Sequence, residues 1–234
     1  FDSRLVNPED VYIAIDGVNV DGHNYIQKAI ELGAKTIVCE KLPQEIIDEM
    51  AYVKVSCTRK ALAIMASNYY ENPSSKLNLI GITGTNGKTT VATLLFELYK
   101  KLGIKAGLIS TIRISIDNKS FSASQTTPDS LTINNYLNQM VSNGIRYCFM
   151  EVSSHGINQC RVEGLLFKGG IFTNLTHDHL DYHKSFENYR DTKKQFFDSL
   201  GSNSFALINN DDRNGLVMIQ NTPAEKHTYS MSSV

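Results

Sequence analysis

Residues 79–90 read Leu79-Ile80-Gly81-Ile82-Thr83-Gly84-Thr85-Asn86-Gly87-Lys88-Thr89-Thr90, an apolar run, a glycine-rich turn with a lysine, and the start of a helix. Such a turn wraps backbone N–H groups around an anion, and the helix that follows adds the positive end of its dipole. Gly84, Thr85, Asn86, Gly87, Lys88, Thr89 and Thr90 therefore form a candidate loop for a nucleoside triphosphate. In that reading Lys88 reaches the terminal phosphates and the Thr89 hydroxyl sits on Mg²⁺. The strict phosphate-loop spacing asks for glycine at 82, where the chain has Ile82; its glycines stand at 81 and 84. The context nonetheless holds, because Val91, Leu94, Leu95, Leu98 and Leu102 follow at helical spacing. A glycine-rich turn without a ligand is the bland alternative.

The loop sits inside a regular alternation of strands and helices. Strands are expected near Val11–Ala14, Thr36–Cys39 and Tyr52–Val55, with helices at Tyr25–Leu32, Pro43–Met50 and Lys60–Tyr70. The segment Glu71-Asn72-Pro73-Ser74-Ser75 reads as a linker. A second unit then brings strands near Leu79–Thr83, Ala106–Ile109, Tyr147–Glu151, Gly169–Thr173 and Phe205–Asn209. Its helices fall at Thr89–Leu102, Asp129–Asn143 and Phe186–Leu200. The expected class is α/β: a small N-terminal α/β domain over residues 1–72, and over 73–234 a central, mostly parallel phosphate-loop-type sheet flanked by helices. Ligands of such sheets bind beyond the carboxyl ends of the strands. The phosphate loop, Glu151 and Thr173–His179 all fall there.

Composition narrows the class. A hydrophobic content of 41% supports packed cores, and a net charge of −1 implies no broad surface for nucleic acid. Cys39, Cys57, Cys148 and Cys160 form no CxxC pair and read as free thiols in a reducing compartment. No apolar run is long enough for a bilayer and no signal peptide opens the chain. A cytoplasmic enzyme without a membrane partner is the expectation. The start at Phe1 suggests a trimmed terminus.

Two further groups of residues carry chemistry. Glu151 closes an apolar strand near the phosphate loop, a natural place for a Mg²⁺ ligand, although a solvent-exposed strand end reads equally well. His177, Asp178, His179, Asp181 and His183 crowd the loop after the next strand. Their types allow zinc, whereas the phosphate loop argues for Mg²⁺. On the helix that follows, Phe186, Tyr189, Phe196, Phe197 and Leu200 define an apolar face. At about 100° per residue Lys193 falls in the middle of that stripe. Burial of a lysine favours its neutral, nucleophilic amine, which can take up CO₂ as a carbamate; the alternative is a side chain that snorkels to water.

These strings together resemble the Mur ligase family, and within it the branch that forms UDP-N-acetylmuramoyl-tripeptide. The matching segments are Asp2-Ser3-Arg4, Asp21-Gly22, the loop Gly84–Thr90, Thr126-Thr127-Pro128-Asp129, Glu151-Val152-Ser153-Ser154-His155, the run Thr173–His183 and Asn210-Asp211-Asp212. The phosphate loop is common to this family and to folylpolyglutamate synthases; the Thr-Thr-Pro and Glu-Val-Ser-Ser-His strings are more particular to the branch. The resemblance implies an ATP-dependent ligase that adds a diamino acid to UDP-N-acetylmuramoyl-L-alanyl-D-glutamate through an acyl phosphate, in peptidoglycan precursor synthesis. It implies that Ser3 contacts the uridine end, so that 1–72 is a UDP-sugar-binding domain. Thr126, Thr127, Ser153, Gln159 and Arg161 would hold the muramoyl dipeptide. Thr89 and Glu151 would bind one Mg²⁺, and His179 with Lys193 as its carbamate a second. Lys88, Glu151, His179 and Lys193 would then be the catalytic set, with ATP on Gly84–Thr90. The resemblance also implies a monomer, and a third, carboxyl-terminal domain for the incoming amino acid. That domain is expected to be absent here, the central one truncated, and the polypeptide inactive alone. Two rivals remain open at this point: a folylpolyglutamate-type ligase and a nucleotide-dependent switch without ligation.

Overall fold

Short β-branched runs make the sheet of the N-terminal unit, Phe1–Met65. The computed structural model describes residues 1–17 and 20–231, so 232–234, at the end of the expected central domain, lie outside the described residues. Strands β1 (Val11–Ile13), β2 (Thr36–Cys39) and β3 (Ala51–Lys54) pair in parallel in that order. Helix α1 (Ile26–Glu31) bridges β1 and β2. Tyr12, Ala14, Ile26, Ala29, Ile37 and Cys39 form the core. The helix expected over Pro43–Met50 does not form, and the segment is bends and turns. Its Ile46 and Ile47 are 51% and 39% exposed. A helix that short depends on an apolar surface to pack against, and these side chains face solvent. Helix α2 (Thr58–Tyr69) starts with the Thr58 N–H and hydroxyl on the Glu40 carboxylate, at 2.8 and 2.9 Å.

The second unit, Ala66–Val234, is built on β4 (Asn78–Thr83). In chain order there follow α3 (Lys88–Lys101), β5 (Ala106–Ile109), β6 (Arg113–Ile116), β7 (Lys119–Ser122), α4 (Ser130–Ser142), β8 (Tyr147–Glu151) and α5 (Ser154–Asn158). Then come β9 (Phe167–Phe172), α6 (Leu180–His183), α7 (Phe186–Asp198), β10 (Phe205–Asn209), α8 (Gly215–Met218) and β11 (Glu225–Tyr229). Among the described residues one eight-stranded sheet runs β11-β10-β9-β4-β8-β5-β6-β7. It is parallel from β11 to β5, and the hairpin β6–β7 adds two antiparallel strands at the far edge. The mostly parallel α/β sheet expected from the alternation is therefore present. The hairpin, β11 and the short α5, α6 and α8 were not expected, and the linker segment holds a 3₁₀ turn at Pro73–Lys76.

Alternation along β4 gives the sheet its two covered faces. Ile80 and Ile82 pack with Ala92 and Phe96 of α3. Leu79 joins Phe196 and Phe197 of α7 and Ile133, Leu137 and Met140 of α4. Gly81 lets α7 come close: a Cβ there would lie 2.5 Å from Phe196 Cζ. All four cysteines are free thiols, Cys39 and Cys148 among them buried. Among the described residues no helix is long and apolar enough to cross a membrane.

Candidate active site

β4 lies between β8 and β9, so its carboxyl end delivers the glycine-rich loop into the middle of the sheet's rim. Gly84 has φ +146°, and a Cβ there would fall 2.0 Å from Thr173 Oγ1. Gly87, at φ +86°, opens α3 without a side-chain cap. The first N–H groups of α3 are thus left for an anion rather than for a side chain of the helix. The loop is held from outside by the segment after β9. Asn174 O accepts from Thr85 N–H at 2.8 Å, Asn174 Oδ1 from Asn86 N–H at 2.9 Å, and the Thr173 hydroxyl donates to Asn86 O at 2.7 Å. Thr85 Oγ1 accepts from Thr176 N–H at 3.0 Å and lies 3.1 Å from the Tyr189 hydroxyl. Thr89 is half-buried and Thr90 exposed in the first turn of α3.

Two lysines converge under this loop. Lys88 Nζ donates to Gly84 O at 2.9 Å and Thr85 O at 2.8 Å. Burial lowers its pKa, while Glu151 and Asp178 oppose that shift. Lys193 lies 1% exposed on α7, as its place in the apolar stripe requires, and does not snorkel. Its Nζ donates to Gly84 O at 2.9 Å and stands 4.6 Å from the centroid of the Tyr189 ring. Burial, and then the charge of Lys88, hold its pKa well below the ordinary lysine value, with Asp178 acting in the opposite sense.

Glu151, at the end of β8, is fully buried rather than an exposed strand end. Its carboxylate accepts from Thr111 N–H at 2.8 Å, and Thr111 Oγ1 lies 3.2 Å from its second oxygen. Thr126 comes to the same place, its Oγ1 3.0 Å from Thr111 Oγ1. Thr127 is buried; its hydroxyl donates to the Glu151 backbone carbonyl at 2.9 Å and accepts from Ser153 N–H at 2.9 Å. Ser153 caps α5, its Oγ accepting from Gly156 N–H at 3.1 Å. Arg161 donates to Thr127 O at 2.6 Å, to Gln159 Oε1 at 2.7 Å and to Gln125 Oε1. The structure thus gathers Thr126, Thr127, Ser153, Gln159 and Arg161 along one connected network beside Glu151.

The histidine-rich loop brings several aromatic rings together. His179 takes a left-handed backbone, φ +53°, with Nε2 3.5 Å from Asp178 Oδ2. Its ring meets His155 edge-on at 4.9 Å, and His155 lies against Tyr182 at 4.1 Å. His183 Nε2 is 2.9 Å from Ser154 Oγ, and burial, then His155, Lys193 and His179, push its pKa down to about 4 against Asp181. Among the described residues no three His, Cys, Asp or Glu side chains gather as a metal cluster. The described residues therefore form no closed zinc centre of the kind left open by residue types.

Ser3 belongs to the first unit. Asp2 caps the turn that carries it, accepting from Arg4 N–H at 3.0 Å and from the Arg4 guanidinium at 2.9 and 2.7 Å. Ser3 lines a cleft of about 420 Å³ with Tyr12, Gly22 and Tyr25. Sequence reasoning passed over Thr111, Asn174 and Tyr189. Asn174 lay inside a matched string, whereas Thr111 follows a strand and is joined to Glu151 only by folding.

The sequence profile described as "Mur ligase middle domain" matches residues 82–234, and that described as "Mur ligase family, catalytic domain" matches 1–70. The chain is 54% identical over 233 residues to a protein of Phocaeicola vulgatus named "UDP-N-acetylmuramoyl-L-alanyl-D-glutamate--2,6-diaminopimelate ligase", covering 100% of the chain and 48% of that protein. A protein of the same name from Cytophaga hutchinsonii is 52% identical, with 99% and 48% covered. A solved structure titled as a UDP-N-acetylmuramoyl-L-alanyl-D-glutamate--2,6-diaminopimelate ligase superposes with a TM-score of 0.86 at 27% identity, covering 100% of this chain and 48% of that one. The chain spans about half the length of the curated relatives it matches.

Proposed function

Because the chain belongs to the Mur ligase family, we propose that it carries the substrate-activating site of an ATP-dependent ligase that joins 2,6-diaminopimelate to UDP-N-acetylmuramoyl-L-alanyl-D-glutamate in peptidoglycan precursor synthesis. The names of its relatives support the substrates. The observation that carries the reading is Lys88, a half-buried ammonium resting on two neutral carbonyl oxygens at the uncapped start of α3. A triphosphate supplies the negative charge that its hydrogen-bond partners lack. Residues 1–72 are assigned to the UDP-sugar, with Ser3 at the uridine end, and 73–234 to ATP. ATP as a substrate puts the reaction in the cytoplasm.

The residues present suit hard cations. The Thr89 hydroxyl and the buried Glu151 carboxylate would hold one Mg²⁺; His179 and Lys193, as its CO₂-derived carbamate, would hold a second. Thr111 occupies only part of the acceptor capacity of Glu151, which leaves lone pairs for a cation. When bound, such ions offset the repulsion between a carboxylate and a triphosphate and polarise the transferring phosphoryl group. Lys193 favours carbamate formation because burial disfavours its ammonium form. The ammonium gives up one proton to become the neutral amine, whose nitrogen bonds to the carbon of CO₂ and gives up a second, both to solvent, leaving an anion where a cation stood.

In the reaction, the terminal carboxylate of the dipeptide attacks the γ-phosphorus, the bond to the bridging oxygen of ADP breaks, and an acyl phosphate forms. The amine of the diamino acid then displaces phosphate. The chain's own contribution is to hold charge and position. Lys88 leaves its carbonyls for the phosphates, and the N–H groups of α3 share that charge. Arg161 matches a carboxylate or phosphate with its planar fork, and Thr126, Thr127, Ser153 and Gln159 fix the muramoyl dipeptide beside Glu151.

The test is ADP release by the full-length protein. Release should require both UDP-N-acetylmuramoyl dipeptide and diaminopimelate, and Lys88→Ala should suppress it. Failure to bind the UDP-dipeptide in a calorimeter, or ADP release indifferent to it, would refute the reading.

A further inference from the structure

Thr111 stands between two residues that the proposed function gives to different ligands. Its N–H donates to Glu151 Oε1 at 2.8 Å, and its hydroxyl oxygen lies 3.2 Å from Glu151 Oε2 and 3.0 Å from Thr126 Oγ1. A hydroxyl has one proton to donate and two lone pairs with which to accept. The Thr111 proton therefore serves Glu151 or Thr126, one at a time. An ionised carboxylate only accepts, and bonds to it are the stronger ones. With Glu151 free of other partners, the Thr111 proton goes to Oε2. Thr126 then receives no proton from Thr111, and its hydroxyl meets a ligand without a fixed direction.

A cation on Glu151 Oε2 changes that order. It competes for the oxygen's lone pairs and weakens the bond from Thr111. The Thr111 proton then turns to Thr126 Oγ1, which accepts it and so directs its own proton toward whatever lies beyond. A muramoyl dipeptide presents carbonyl and carboxylate oxygens, which need such a donor.

We propose that Thr111 is a positioning residue that couples the state of the Glu151 carboxylate to the hydrogen-bonding polarity of Thr126, so that occupation of the metal–nucleotide side strengthens binding of the sugar–peptide side. The inference rests on the functional reading above and adds to it a link between its two halves. The hydroxyl is the coupling element; the backbone N–H of Thr111 holds Glu151 whatever the side chain. Thr111 is exposed and follows β5, so changing its side chain leaves the core untouched.

The experiment is calorimetric titration of UDP-N-acetylmuramoyl-L-alanyl-D-glutamate into the full-length protein, with and without Mg²⁺ and a non-hydrolysable ATP analogue. Wild type should bind the dipeptide tighter by about fivefold or more with both present, the lower end of ordinary coupling between sites. Thr111→Val keeps the shape and the N–H but has no hydroxyl, and should bring that ratio below about twofold; Thr111→Ser should restore it. Thr126→Val breaks the same link from its other end and should also abolish the coupling. A Thr111→Val protein with the full wild-type ratio overturns the proposal, as does a wild type with no ratio to lose. A wild type that binds no dipeptide sinks the functional reading and this inference together. Wild type that binds and turns over without coupling sinks the inference alone.

Discussion

Lys88 and Lys193 donate to the same oxygen, the carbonyl of Gly84, each at 2.9 Å. One lysine comes from the first residue of α3, the other from the middle of α7, and the loop between β4 and α3 joins them. Two ammonium groups on one neutral acceptor, one buried and one half-buried, repel each other and are costly to desolvate. An arrangement of this kind is poor for stability and apt for a site that expects anions. A triphosphate draws Lys88 away, and a carbamate reverses the charge of Lys193.

Replacing Lys193 should therefore separate stability from activity. Lys193→Met puts an apolar chain of similar length among Tyr189, Phe196 and Phe197, and should leave the urea midpoint equal or higher. Ligation by the full-length protein should fall by roughly a hundredfold or more, the scale for removal of an electrostatic stabiliser. In Lys193→Ala, a short-chain carboxylate such as acetate should recover part of the rate by standing in for the lost anion. An undiminished rate in Lys193→Met would rule out the carbamate.

Gly84 is the residue on which both lysines depend. Its φ of +146° suits no other residue well, and a Cβ would collide with Thr173 Oγ1 at 2.0 Å and crowd the Asn174 backbone. Gly84→Ala should cost on the order of 3 kcal/mol, combining backbone strain with overpacking. The same change should remove nucleotide binding, because Thr173 also fixes Asn86 through its hydroxyl. Denaturant unfolding and titration with an ATP analogue measure the two effects separately.

Much of this arrangement is legible in the sequence because its signals are local. Strands Thr36–Cys39, Ala106–Ile109, Tyr147–Glu151 and Phe205–Asn209 appear with the bounds that their apolar runs suggest. Lys193 shows itself by interrupting a helical stripe. The elements passed over lack such contrast. β7 and β11 are exposed along their whole length, so their strand character comes from backbone pairing and leaves no alternation to read. The helix read at Pro43–Met50 has apolar residues at helical spacing, but spacing says nothing about whether a surface exists to receive them. Thr111 is harder still. Its worth lies in a hydrogen bond to a residue forty positions away, and only the parallel pairing of β5 with β8 brings the two together.

Acid should loosen the second unit through its buried histidines. His183 carries a pKa of about 4 in the folded protein, against 6.5 for a free imidazole, because it is buried among His155, His179 and Lys193. Above pH 6.5 both folded and unfolded states hold it neutral. As the pH falls from 6.5 toward 4 the unfolded chain takes a proton that the folded one refuses, so stability declines across that window and levels off below it. His155, whose pKa is also lowered, adds to the same slope. Urea midpoints measured across this range should fall with acid, and His183→Gln should flatten the fall. A slope unchanged in that variant would assign it to other groups.

The closest approach between α7 and the sheet decides where Lys193 ends up, and Gly81 sets it. A methyl at 81 would meet Phe196 Cζ at 2.5 Å, with Phe167 Cε1 and Val152 Cγ2 at 3.0 Å. Phe196 is three residues after Lys193 on the same helix face. Gly81→Ala should therefore destabilise the second unit by about 1–3 kcal/mol, the usual cost of overpacking. It should also push α7 outward and stretch the Lys193–Gly84 hydrogen bond, lowering activity without touching a residue of the site. Shortening the opposing ring should relieve the clash, so Gly81→Ala and Phe196→Leu together should be less damaging than the sum of the two alone. A double-mutant cycle on unfolding free energy and on ligation rate reads both consequences. Additive effects on both would show that the glycine's lack of a side chain does not determine the seating of α7.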